Sequence, residues 1–188
     1  MSPPARRAGA FSNRASPPGV APPAVTPQTI GLALVRILTG YLWFTQILWK
    51  TPPNFAAFHF WTVKIATYSW LPVYRSFVHA VVLREPTFTV VGYLTFALES
   101  LIALSLLFGI FTRLGAIVGA LWAAQLYVGL TTVPGEWYWT YAMLIMLNAM
   151  LALTPSGAAL SVDQWLRPRV SALAARGGRL GRFLGWAQ

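Results

Sequence analysis

Four apolar stretches organise this chain, over about residues 28–49, 88–111, 114–130 and 137–153. Each approaches the roughly 20 residues that a helix needs to cross the hydrocarbon core of a bilayer. Each also carries one strongly polar residue near its middle: Arg36, Glu99, Gln125 and Asn148 in turn. Punctuation between the stretches is sharp. Pro52 and Pro53 stop the first, because proline removes a helical N–H and restricts the residue before it. The turn at Thr112 and Arg113 is so short that the second and third helices must be antiparallel neighbours. Residues 132–136 form a further turn, and Pro155 and Gly157 end the fourth stretch. The pattern predicts an all-α protein, an integral membrane bundle of four transmembrane helices.

The segment over 51–87 is too long for a simple turn. Its aromatics, among them Phe55, Phe58, Trp61, Tyr68, Trp70 and Tyr74, alternate with His59, Lys64, Arg75 and His79. Aromatics mixed with cations suit a membrane–water boundary. Asn54 is a suitable N-cap for a helix over 55–68, Pro72 breaks that helix, and a second short amphipathic helix follows over 72–83. This helical loop is expected to cap one end of the bundle. In the third stretch, Gly115, Gly119 and Ala123 recur at a spacing that lets membrane helices approach closely.

Composition sharpens the membrane reading. Hydrophobic residues make up 56% of the 188 and charged residues only 10%, against about 45–50% and 25% in soluble proteins. The formal net charge of +10 points at first to nucleic acid, but the cations sit at the flanks of the spans and no basic patch is interleaved with stacking aromatics. Nine of the Lys and Arg lie in the termini and at Arg113, and four lie on the opposite side: Lys50 at the end of the first stretch, and Lys64, Arg75 and Arg84 in the loop that follows. The bias places both termini in the cytoplasm. Three regions result: a Pro-rich, disordered cytoplasmic tail over 1–27, a four-span membrane domain over 28–166, and a basic amphipathic tail over 167–188 whose Leu180, Phe183 and Trp186 suit the interface.

Chemistry is bounded by what is missing. The chain has no cysteine, which excludes disulfides, thiolate nucleophiles and Cys-held clusters or zinc. His59 and His79 belong to the aromatic loop and read as surface histidines rather than haem ligands, and no metal site is expected.

The polar belt is the candidate site. A guanidinium at the depth of Arg36 costs from roughly 3 to more than 10 kcal/mol unless it finds a partner. Counted by helix rise from the cytoplasmic end, Arg36 lies about 12 Å deep, Glu99 about 16 Å, Gln125 about 17 Å and Asn148 about 9 Å. Opposite charge and similar depth predict an Arg36–Glu99 ion pair. Arg36, Gly40, Trp43, Ile47 and Lys50 share one helix face, so Gly40 would leave room beside the pair and Trp43 would supply a flat wall for a planar amphiphile such as a quinone. The competing reading is a pair that merely fixes helix register.

The motifs resemble those of DoxX-like membrane proteins. The resemblance rests on Arg36 and Gly40 in the first span, Gln46 and Lys50 at its end, and Glu99 followed by Gly109 and the Thr112–Arg113 turn. A tail from Gly157 to Asp163 completes it. It covers about residues 30–166, and departs where many members have His-Gly before the Lys and this chain has Thr45-Gln46. The resemblance implies a multi-pass protein of a bacterial or archaeal cytoplasmic membrane. Its implied role is a subunit of a quinone-linked respiratory or sulfur-oxidising complex, with a protein partner, possible bound quinone and no covalent cofactor. Two alternatives stand beside this non-catalytic reading: a catalytic thiosulfate:quinone oxidoreductase component, and a small transporter or proton path through Glu99.

Overall fold

The computed structural model describes residues 25–53, 55–176 and 179–188. The Asn54 cap, the tail before residue 25 and the Gly177–Gly178 pair lie outside the described residues. All regular structure among the described residues is helical. Helix α1 spans Pro27–Ile47, α2 Ala56–Tyr68 and α3 Pro72–Phe77, which continues through a wide π turn over Val78–Val82. Helices α4 (Thr87–Phe108), α5 (Thr112–Leu130) and α6 (Tyr138–Leu153) complete the apolar set, and α7 (Val162–Ala175) and α8 (Arg179–Ala187) follow.

Local chemistry sets these boundaries. Thr26 caps α1 by accepting from the Thr29 N–H, and the Thr29 hydroxyl faces back to the Thr26 N–H, a reciprocal box with Pro27 at the first helical position. Gly109 ends α4 at φ +65°, the left-handed conformation that only glycine adopts without strain. Ser161 caps α7 by accepting from Gln164 N–H at 3.0 Å.

Three helices, α1, α4 and α5, are long and apolar enough to cross a membrane. Helix α6 is apolar but shorter, with 16 residues, a rise of about 24 Å. In the bundle α1 packs along α4 and α5 along α6. The core runs through Trp43, Ile102, Leu106, Ala116, Ala123 and Leu151. The small-residue face of α5 lies where the sequence placed it: a Cβ on Gly115 would strike the Ser105 side chain, and one on Gly119 would strike Asn148 and Ile102. The face therefore lets α4 and α6 approach α5 closely.

Helices α2 and α3 are folded onto the bundle rather than spread away from it. Ile65, Val78 and Val82 form a second core with Leu130 and Val133 at the α5 end. Hydroxyls pin this cap: Ser69 Oγ donates to Val128 O at 2.9 Å, and Thr132 Oγ1 donates to Tyr68 O.

Candidate functional site

The polar belt divides into two separate centres. In the first, the Glu99 carboxylate is fully buried in the middle of α4. Lys50, just past the end of α1, turns its chain inward. Its Nζ donates to Glu99 Oε1 and Oε2 at 2.6 and 2.7 Å. Trp122 Nε1 on α5 donates to Oε1 at 3.0 Å. The ammonium also lies 4.5 Å from the centre of the Trp49 ring, within cation–π reach. Three hydrogen bonds and an aromatic face thus compensate a pair of buried charges, as the desolvation cost requires.

This pair lines a cavity of about 930 Å³. Gln46, Thr95, Trp122, Gln125 and Tyr74 are among the other polar residues that line it. The Gln125 amide donates to the Tyr74 hydroxyl; burial pushes the Tyr74 phenol above its usual pKa, against the opposing effect of that hydrogen bond. Apolar walls come from α2, the π turn, α5 and α6, including Trp61, Val78, Leu126 and Leu144. Among the described residues the charged groups lining the cavity are Lys50, Glu99 and Glu136. Between α1 and α6 the lining residues Leu42, Trp139 and Met143 are 47%, 44% and 48% exposed. The cavity therefore reaches the apolar outer surface there.

The second centre is a clamp at the opposite end of the bundle. Arg36 Nη1 donates to the carbonyls of Ser156 and Ala159 at 3.1 and 3.4 Å, and Nη2 donates to that of Leu160 at 2.6 Å. Asp163, also fully buried, accepts from the N–H groups of Phe111 and Thr112 at 2.8 Å each and from Thr112 Oγ1 at 2.7 Å. Its own N–H donates to Gly109 O at 2.9 Å. Phe111 and Leu160 both sit at φ 49°, a costly conformation for L residues, and both are held by clamp hydrogen bonds. Gly109 is wedged between the halves: a Cβ there would lie 2.4 Å from Ser161 Cβ and 2.6 Å from Arg36 Nη1.

The expected Arg36–Glu99 pair does not form. Gly40 packs on the backbone of Leu106 and Leu107, and α1 runs antiparallel to α4, which fixes the register. Four residues before Gly40, Arg36 is level with the turn after α4, whereas Glu99 is level with Ile47. By helix rise the two are about 16 Å apart along the axis. Similar depth by helix rise requires that the two helices share a cytoplasmic plane, and α1 overhangs the α4–α5 turn.

The remaining predicted residues sort accordingly. Glu99, Gln125, Gln46 and Lys50 meet at the cavity. Gly109, Thr112 and Asp163 meet at the clamp with Arg36. Gly40, Trp43 and Asn148 are packing residues outside the cavity lining; Trp43 Nε1 donates to Asn148 Oδ1 at 3.4 Å. Arg113 turns away from the clamp, 5.5 Å from the Trp186 ring centre. Trp122 was not foreseen, since a tryptophan in a membrane helix usually reads as bulk apolar lining.

Comparison of the chain with protein-family models, with curated proteins and with solved structures found no match.

Proposed function

We propose that this chain is an integral membrane subunit of a quinone-linked redox complex, of the DoxX-like type, and that its quinone or lipid site is the cavity beside Lys50 and Glu99. The single observation behind this reading is a buried, hydrogen-bonded ion pair lining a lipid-side cavity of about 930 Å³. That volume falls within the roughly 300–1,000 Å³ of small-molecule sites, which are mostly apolar with a few placed polar groups. A planar head would rest among Trp49, Trp61 and Trp122, with Lys50 as donor and Glu99 as acceptor. The tail would leave between α1 and α6.

Clamp and cavity take different parts in this account. Arg36 and Asp163 hold the cytoplasmic end, and the cavity belongs to the outer half. Helix α6 makes the fourth crossing, with Trp137 and Trp139 in the boundary at its start, so that both termini lie in the cytoplasm. A tilted or locally thinned bilayer accommodates its short length at modest cost.

The test is quinone binding to the purified full chain in lipid discs, followed by tryptophan quenching. The wild type should bind. The Lys50→Met/Glu99→Gln double variant should remain folded and lose binding at least tenfold. Unchanged binding in a folded double variant overturns the assignment of the site.

A further inference from the structure

We infer that the α7–α8 hairpin is a docking surface for the anionic headgroups of the bilayer at the clamp end of the bundle. The hairpin is tightly closed. A Cβ on Gly181 would lie 2.5 Å from Ala174 N, and one on Gly185 would lie 3.7 Å from Val170 Cγ1. The glycine face of α8 is thus committed to α7.

What remains outward is amphipathic. Leu180, Phe183 and Trp186 are 63%, 51% and 44% exposed, and the Phe183 and Trp186 rings lie side by side with centres 6.1 Å apart. Arg169, Arg176, Arg179 and Arg182 of the same hairpin are also exposed. The one acidic residue of this segment, Asp163, is buried and occupied by the Phe111 and Thr112 donors. A surface of several cations with no exposed acid is complementary to anionic headgroups, and exposed aromatics beside cations suit their boundary with the acyl chains.

The surface is also fixed in place. Arg113, at the turn between two spans, lies over Trp186. Ala187 is fully buried, and Gln188 O lies 3.3 Å from where a Gly157 Cβ would be. The hairpin is therefore held at the end of the helices α4 and α5, where headgroups begin. A protein partner would compete for the same face, and the experiment separates the two.

The full chain is purified in mixed micelles of equimolar phosphatidylglycerol and phosphatidylcholine, and retained lipids are counted by native mass spectrometry. The wild type should retain phosphatidylglycerol preferentially. Each surface arginine contributes roughly fivefold to such attraction, so R176Q/R179Q/R182Q should reduce the preference strongly, up to about a hundredfold. Equal preference in wild type and triple variant overturns the proposal. A second measurement does not depend on that variant. The chain has no cysteine, so Phe183→Cys carries a single nitroxide. In lipid discs the label should be accessible to oxygen and shielded from aqueous nickel reagent. A label open to the aqueous reagent would mean that the face is free for a protein, and the lipid assignment would be wrong.

Discussion

Lys50 Nζ bonds both carboxylate oxygens of Glu99, at 2.6 and 2.7 Å, although Lys50 lies beyond the end of α1 and Glu99 lies inside α4. The geometry has an energetic consequence. Removing one partner strands a buried charge, at roughly 3–5 kcal/mol, whereas replacing both by neutral groups can be almost harmless. Lys50→Met and Glu99→Gln should each lower the melting temperature more than the double variant does. In the same experiment Arg36→Met and Glu99→Gln should combine additively, because distant sites without shared partners do not couple. Additivity for Lys50 and Glu99, or coupling for Arg36 and Glu99, contradicts the pairing described here.

The clamp predicts a different pattern. Asp163→Ala leaves the Phe111 and Thr112 N–H groups without their acceptor, and an orphaned buried donor such as the Thr112 N–H costs about 1–3 kcal/mol. Gly109→Ala adds left-handed strain of about 1–2 kcal/mol and a collision with Ser161 and Arg36. Both variants should give poor yield and low melting temperature, without a selective loss of ligand affinity in whatever protein remains folded. Wild-type thermal stability in either one would mean that the Asp163 contacts do not hold the turn.

Topology is open to a direct check, because the chain lacks cysteine. Single cysteines at Trp70 and at Ser171, both exposed, should react with an impermeant maleimide from opposite faces of the membrane, the latter only from the cytoplasm. Labelling of both from the same face would show that α6 does not complete a crossing.

Much of the fold was legible because bilayer length and proline punctuation are local signals. The stretches over 28–49, 88–111, 114–130 and 137–153 correspond to α1, α4, α5 and α6 within a few residues, and Pro72 separates α2 from α3 as expected. The partners were not legible. The register of α1 against α4 depends on Gly40 meeting the Leu106–Leu107 backbone, a long-range packing fact that helix rise alone does not contain. Lys50 was assigned to the boundary by its place at the end of a span. A lysine's long stem can carry its ammonium inward as readily as outward when a buried carboxylate waits there. One signal did point to the outcome: Lys50 shares a helix face with Gly40, Trp43 and Ile47, and all four are buried. Asp163 was singled out by its motif, but its role emerges only when the chain after α6 folds back to the α4–α5 turn.

On the reading proposed above, the cavity beside Lys50 and Glu99 takes a quinone-type amphiphile. The most direct test is photolabelling of the full chain in lipid discs with an azidoquinone, followed by peptide mapping. The label should fall on peptides containing Trp122 and Met143, which line the cavity, and excess unlabelled quinone should suppress it. Labelling confined to peptides around Arg36 and Trp43, or spread over the outer surface without competition, would contradict the claim.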